Sequence, residues 1–403
     1  MSRVEELLAK YNPNGINDIP LWELTAWDKR FNAVDKSMQK KVVKYKYYLA
    51  KDLDELVDDI GDIRILYTNE RVAYTSEEKC KDNICEGEIV AIPWGGTPTV
   101  KYYKGKFVTG DNRIATSLDT NRLNNKYLYY WMISQLGIIS DYYRGAGIQH
   151  PSMLSVLSMQ IPLPHIKVQE EIVKILDSFT NLIDALNEEL SLRQKQFEYY
   201  REKLLTFDEG DKTTQRISMD ELFYFKNGYT PSTKNSEYWT NGKINWFTVA
   251  DFKNNNILYN SIKKVSISAV KGGKLFKPNS ILLATTATIG IHALVCTEHL
   301  SNQQLTNLSI KEKYIDEIDV KYIYYYMYII DEWCKKNYHG GGFMIVDIAG
   351  LKKMSIPIPS LAIQQSIVEK LDAFESLISS LKEEIALRQK QYEYYREKLL
   401  TFE

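Results

Sequence analysis

The sequence predicts an α+β chain in which two similar globular domains are joined by two long helices. The helices are expected to pair as an antiparallel intramolecular coiled coil, so that a pseudo-two-fold axis relates the two halves. Three observations carry this expectation. Residues 161–208 and 356–403 align without a gap at an offset of 195, with 29 of 48 positions identical. Within both segments, apolar and aromatic residues recur at alternating steps of four and three. Ahead of each segment, short β-branched and aromatic runs alternate with Gly, Asn and Pro.

The repeat sets the boundaries: a first globular domain over residues 1–160, a central helix over 161–208, a second globular domain over 209–355, and a closing helix over 356–403. In the first globular domain the stretch from Trp22 to Val57 reads as the more helical part, because Leu49, Leu53, Leu56 and Val57 are spaced for one face. Strands follow at Arg64–Tyr67, Glu88–Ile92 and Lys106–Thr109, and in the second domain at Ser280–Ala284 and Leu294–Cys296. Helical patches near 124–140 and 319–337 interrupt them. Those patches belong to the same duplication, since Lys126-Tyr127-Leu128-Tyr129-Tyr130-Trp131-Met132 pairs with Lys321-Tyr322-Ile323-Tyr324-Tyr325-Tyr326-Met327 at the same offset.

Each tail opens on Ile-Pro-x-Pro, a stiff entry that a helix cannot include, and contains no further Gly or Pro. Ile172, Leu176, Phe179, Ile183, Leu186, Leu190, Phe197, Tyr200 and Leu204 mark the apolar seam of the first; Ile367 to Leu399 repeat it in the second. At 1.5 Å per residue, roughly 39 helical residues span about 58 Å, a length that needs a mate. The other copy in the same chain is the nearest one. Arg193 and Arg388 fall on the seam, where a charge fixes register and suits a partner carboxylate.

Composition narrows the chemistry. The 403 residues carry 51 basic and 52 acidic groups, a net charge of −1, so no uniform basic field favours a polyanion and any nucleic-acid site must be local. By segment, the tails carry −3 and −2, residues 1–160 carry 0 and residues 209–355 carry +4. The four cysteines, Cys80, Cys85, Cys296 and Cys334, lack zinc-site spacing and read as reduced thiols. Gly105-Lys106, Gly242-Lys243 and Gly273-Lys274 are followed by Phe107, Ile244 and Leu275, so there is no ATP-binding phosphate loop, and neither H-E-x-x-H nor G-x-S-x-G occurs. Charges at Arg3, Glu5 and Glu6 stand where a leader would need an apolar run, and no stretch of about 18 apolar residues follows, so a cytoplasmic, membrane-free chain is expected.

What remains suits recognition. Lys101, Lys104 and Lys106, and Lys271 and Lys274, read as cations on turns that can reach phosphates. Asn112 with Arg113, and Gln303 with Gln304, read as loop residues whose amide and guanidinium groups match base edges. Two glycine loops, Arg144 to Gly147 and His339 to Gly342, let backbone approach a phosphate. Each of these patterns also occurs on ordinary surface turns. Two other classes stand beside a DNA reader: a coiled-coil adaptor that binds only protein, and a fused methyltransferase or nuclease with a diverged site.

The chain resembles the specificity subunits of type I restriction-modification enzymes. The resemblance rests on the duplicated Ile-Pro-x-Pro to Leu-Leu-Thr-Phe tails, on Trp27-Asp28-Lys29-Arg30-Phe31, on Phe225-Lys226-Asn227-Gly228-Tyr229-Thr230-Pro231-Ser232, on Asn245-Trp246 and on Thr288-Ile289-Gly290. It covers nearly the whole chain. It implies a target-recognition domain in each half, reading one part of a split double-stranded DNA site, with the paired helices as a ruler across an unread spacer. It adds Lys226, Tyr229, Thr230 and Thr288 to the expected DNA-binding residues. The resemblance further implies that this subunit is not itself an enzyme and takes no cofactor. It would hold two methyltransferase subunits that use S-adenosylmethionine and, in the full complex, restriction/translocase subunits that use ATP and Mg2+. Some members carry a short tandem repeat after the central helix; here Asp208-Glu209-Gly210-Asp211-Lys212 follows at once.

Overall fold

Each globular half folds around a mainly antiparallel sheet backed by one aromatic-rich helix. The description covers residues 3–80, 83–208, 210, 213–253 and 256–402 of a computed structural model. Of the short connection from Asp208 to Lys212, Glu209, Asp211 and Lys212 therefore lie outside the described residues. The chain forms two units, one made of Met1–Asn187 with Glu383–Glu403 and the other of Glu188–Lys382.

In the first unit the strands are β1 (Thr25–Trp27), β2 (Ile63–Leu66), β3 (Val72–Thr75), β4 (Cys85–Pro93), β5 (Lys101–Thr109) and β6 (Asn112–Ser117). They lie in the order β1-β6-β4-β5-β2-β3, and only β2 and β5 run parallel. Helix α1 (Asn125–Ser134) begins where the Asn124 side chain accepts the amides of Lys126 and Tyr127, a cap that satisfies two otherwise orphaned donors. It buries Tyr127, Leu128, Tyr130, Trp131 and Met132. A small hairpin, β7 (Tyr143–Arg144) with β8 (His150–Pro151), precedes the long helix α2 (Ile166–Leu205).

The second unit has β9 (Phe223–Asn227), β10 (Ile244–Phe247), β11 (Ile257–Leu258), β12 (Lys263–Val265), β13 (Ser280–Thr286), β14 (Thr288–Val295), β15 (His299–Ser301) and β16 (Leu305–Ile310). The main sheet runs β9-β16-β13-β14-β11, and β12-β10-β15 form a three-stranded one. Helix α3 (Val320–Lys336) lies against β14. The hairpin β17 (Tyr338–His339) with β18 (Ile345–Val346) joins the main sheet through Thr286 opposite Ile345, and α4 (Leu361–Thr401) follows.

Both long helices form as expected, with 40 and 41 residues. Within each unit they run in opposite directions. In the first, Val168, Ile172 and Leu176 of α2 share a core with Leu400 of α4, and Phe179 stacks on Tyr395 with centroids 5.4 Å apart. In the second, Phe197 and Leu205 of α2 share a core with Ile367 and Leu371 of α4, and Tyr200 stacks on Phe374 at 5.5 Å. Arg193 and Arg388 do not reach across to a partner carboxylate. Each pairs along its own helix, with Glu189 and Gln196 and with Glu384 and Gln391, because those groups stand one turn away.

The root of each long helix is fastened by the same set of bonds. Gln169 is fully buried; its Oε1 accepts the Asn124 amide at 2.9 Å and its Nε2 donates to the Arg122 and Pro164 carbonyls at 2.8 Å each. Gln364, 195 residues on, accepts from Asp319 at 3.0 Å and donates to Glu317 and Pro359 at 2.9 and 2.8 Å. The Tyr127 and Tyr322 hydroxyls donate to the Pro162 and Pro357 carbonyls. Tyr130 and Tyr325 donate to Asp177 and Asp372, which also receive Lys126 and Lys321. Burial, followed by these carboxylate bonds, pushes both tyrosines upward from their ordinary range.

The stretch from Trp22 to Val57 corrects the expectation of helix. It holds only the short helices Leu21–Leu24 and Ala50–Leu53 and a 3-10 turn at Lys36–Met38. Its amides go to the sheet instead: Val43 donates to the Trp27 carbonyl and Tyr48 to that of Thr109. Leu53 is buried while Leu49 is exposed, so the apolar spacing does not mark one covered face.

Candidate nucleic-acid interface

In the first unit, chain segments converge beyond the ends of β4 and β6. The Trp94 amide donates to the Asp111 carbonyl at 3.0 Å, the Tyr143 hydroxyl donates to Pro93 at 2.7 Å, and His150 Nδ1 lies 2.7 Å from the Trp94 carbonyl. The Lys29 ammonium sits 5.2 Å from the centroid of the Trp94 ring. A cleft of about 500 Å³ runs between Lys29, Arg30, Phe31, Trp94, Pro151 and Ser152. Lys29, Arg30 and Arg144 are exposed and hold no ion pair among the described residues. Three free cations beside an aromatic-walled cleft suit a phosphate backbone.

The residues expected to line this face divide. Arg144 is on it, at the end of β7. Asn112 and Arg113 are not in a loop; they begin β6 and are buried. The Asn112 amide donates to the Leu66 carbonyl at 2.9 Å and to Thr109 at 3.1 Å. Arg113 pairs with Asp28 at 2.7 Å and with Asp111, and packs its guanidinium over Trp94. Burial dominates at Asp28 and raises its pKa, with the Arg113 charge opposing. Arg113 thus braces Asp28 and Trp94 from within, and neither it nor Asn112 is exposed at the surface. Lys101, Lys104 and Lys106 lie within strand β5, not on a turn. Lys101 bonds the Tyr67 carbonyl, and burial pushes its pKa down to about 8. Lys104 pairs with Glu88 at 3.4 Å and Lys106 with Glu77 at 2.5 Å. All three are spoken for.

In the second unit most of the expected residues come together. The Phe225–Ser232 run enters over Gly228, where an added Cβ would stand 2.2 Å from the Asn302 carbonyl oxygen, so only glycine permits this approach. Beyond it the Thr230 hydroxyl donates to Gln303 Oε1 at 2.5 Å, and Gln304 is held by reciprocal bonds with Asn302. Thr285 donates to the Gln304 carbonyl at 3.0 Å, which sets the turn Thr286–Thr288 beside that pair. Ala287 at the turn adopts φ 65°, in the left-handed region that favours glycine, and its amide donates to Met344 of the β17–β18 hairpin at 2.8 Å. Thr230, Thr288, Gln303, Gln304 and His339 thus stand on one linked edge, where Thr230, Thr288, Gln303 and His339 are exposed.

Tyr229 ties a second loop to it. Its hydroxyl donates to the Ala269 carbonyl at 3.0 Å and accepts the Lys271 amide at 2.9 Å, while the Lys271 ammonium lies 4.7 Å from its ring centroid. Lys271 does sit on a turn, as expected, and Lys274 follows it, exposed. Lys226 projects from β9 over the Phe276 ring at 5.6 Å. A larger cavity of about 860 Å³ in this unit carries Asp372 and Glu375 as well as Arg201 and Lys321, so it presents no basic surface.

Lys29, Arg30 and Trp94 escaped the sequence reading as site residues. The first two belong to a segment notable for its resemblance alone, and the Trp94 ring, which lies between Lys29 and His150 of the hairpin, is 65 residues downstream of Lys29. Among the described residues no His/Cys/Asp/Glu cluster could hold a metal ion, and no helix is long and apolar enough to cross a membrane.

Each unit carries the same helix root and a loop-rich edge, and similarity identifies the class. The family model described as "Type I restriction modification DNA specificity domain" matches residues 28–192 and again 212–387. The chain belongs to that family, and its role is DNA recognition. It is 45% identical over 215 residues to the EcoprrI specificity subunit of Escherichia coli, a match covering 50% of this chain and 53% of that one. It thus spans about half the length of that relative. It is 34% identical over 310 residues to the EcoR124I/EcoR124II specificity subunit of Escherichia coli, covering 72% and 74%. A specificity subunit of Haemophilus influenzae is 30% identical over 385 residues, covering 87% and 95%. The fold resembles that of the type I S subunit from M. genitalium, with a TM-score of 0.59, 16% identity and 96% of both chains covered.

Proposed function

We propose that each unit reads one part of a split double-stranded DNA sequence through its loop-rich edge, and that the chain presents this site to two methyltransferase subunits, with restriction/translocase subunits joining in a full complex. The chain itself is a non-catalytic, cytoplasmic specificity subunit; S-adenosylmethionine, ATP and Mg2+ serve its partners. The observation that carries the reading is the pair of hairpins at a constant offset of 195, Tyr143–Pro151 and Tyr338–Val346, each opening on an exposed Arg144 or His339 and bonded to a neighbouring loop, at Trp94 in the first unit and at Ala287 in the second.

Affinity would come from phosphate contacts by Lys29, Arg30, Arg144, Lys226, Lys271 and Lys274, which fix register without reading sequence. Discrimination would come from Gln303, Gln304 and Thr230 on the second unit, where the Thr230 hydroxyl holds Gln303 and Asn302 holds Gln304 before DNA arrives. Binding by the chain copurified with its methyltransferase partner tests this. A duplex bearing the site mapped from methylated adenines should bind tightly, with log affinity falling linearly in log salt. Exchange of residues 61–160 for those of a relative should change one half of the site alone. Equal affinity for a random duplex would leave a protein-binding adaptor instead.

A further inference from the structure

We propose that the apolar residue near the tip of each small hairpin, Ile148 in the first unit and Phe343 in the second, is a wedge that enters the base stack of the duplex beside the half-site its unit reads. This rests on the DNA-reading role proposed above and adds a residue-level device to it.

Single exposed apolar side chains are common on protein surfaces and mean little alone. These two differ in being placed by the duplication. Arg144-Gly145-Ala146-Gly147-Ile148 corresponds to His339-Gly340-Gly341-Gly342-Phe343 at the 195-residue offset, and both end residues stand in solvent, Ile148 71% and Phe343 57% exposed. Both loops are folded tightly by a left-handed glycine. At Gly145 (φ 144°) an added Cβ would lie 2.9 Å from the Ile148 carbonyl oxygen, and at Gly340 (φ 94°) 2.3 Å from that of Phe343. Neither loop sits on a soft base. His150 and Tyr143 bond the carbonyls of Trp94 and Pro93, and Met344 receives the Ala287 amide.

A cation or imidazole opens each loop, at Arg144 and His339, where it can meet the phosphate next to an opened step. An apolar group carried on a stiff hairpin next to a cation has the features of residues that unstack a base step. The cost of unstacking is offset by burying the side chain and by the contacts a kinked duplex allows. The second unit's wedge is aromatic and able to stack, the first aliphatic.

The test uses the full chain copurified with its methyltransferase partner, without S-adenosylmethionine, on the mapped bipartite duplex carrying 2-aminopurine at successive positions. Wild-type complex should raise fluorescence at a step beside each half-site. Phe343→Ala should abolish the rise at the second half-site only and weaken binding about tenfold, Ile148→Ala should do the same at the first, and Phe343→Leu should keep most of both effects. The salt slope should not change, because neither substitution removes a cation that neutralises a phosphate. Fluorescence and affinity unchanged in the double alanine variant would overturn the wedge while leaving DNA reading intact. Failure of the wild-type complex to prefer the mapped duplex would overturn DNA reading, and the wedge with it.

Discussion

Replacing Gln169 with leucine should loosen the root of α2 by an amount the structure allows to be worked out. The side chain is fully buried and makes three bonds, one from the Asn124 amide and two to the Arg122 and Pro164 carbonyls. Leucine fills a similar volume but leaves all three backbone groups without that partner. At about 1–1.5 kcal/mol for each bond, less about 1 kcal/mol for added apolar burial, the expected loss is roughly 3 kcal/mol. For a unit of this size that is a fall in Tm on the order of 6–12 °C. Gln169→Glu should cost as much at pH 7, since a carboxylate would face two carbonyl oxygens, and should partly recover when acidified. The assay is urea unfolding resolved unit by unit, with hydrogen exchange at the Asn124 amide as the local reporter. Gln364→Leu should reproduce the effect in the second unit through Asp319. A loss below about 1 kcal/mol, with the Asn124 amide still protected, would refute the latch.

Arg113→Met should destabilise the first unit by about 3–5 kcal/mol, since Asp28 is left buried without its cation, and should leave base preference unchanged; unfolding midpoints with binding to the mapped site check both. Burial holds His299 at about 4, well under its ordinary 6.5, so the folded second unit resists the proton that the unfolded chain accepts. Stability should therefore be full above pH 6.5 and erode by about 3 kcal/mol as the pH falls towards 4, and His299→Gln should flatten that slope in pH-dependent unfolding. Lys29→Ala with Arg30→Ala should weaken DNA binding across all sequences alike and lower the slope of log affinity against log salt by roughly 1 for each phosphate left without its cation, measured by titration at several salt concentrations.

The long helices and the duplication were legible because each is written in contiguous sequence: a period of about 3.5 to 3.6 residues, an Ile-Pro-x-Pro start and a fixed offset. The same holds for the aromatic helices α1 and α3. What the sequence could not show was partnership across distance. Asn112 and Arg113 look like a base-reading pair until Asp28, 84 residues before Asn112, and the carbonyl of Leu66 are seen to claim them. Gln169 and Gln364 matched in the aligned tails, yet a helical glutamine ordinarily faces water, and the partners of Gln169 come from loops 5 to 47 residues away. Lys104 and Lys106 read as free because their acids, Glu88 and Glu77, precede them on other elements. In the second unit the edge was more legible, since its loops carry polar residues whose bonds are largely to one another.

The way the two units divide the chain has a consequence for its synthesis. The first unit draws its last layer, including Tyr392, Tyr395 and Leu400, from residues made only after the whole of the second unit's segment, Glu188–Lys382. An emerging chain can build the early sheet but must leave the flank of its own helix bare while some two hundred further residues are made. A polypeptide interrupted in its second half would lack Tyr392 and Tyr395 and so leave bare the faces of Tyr130 and Phe179 that those rings cover.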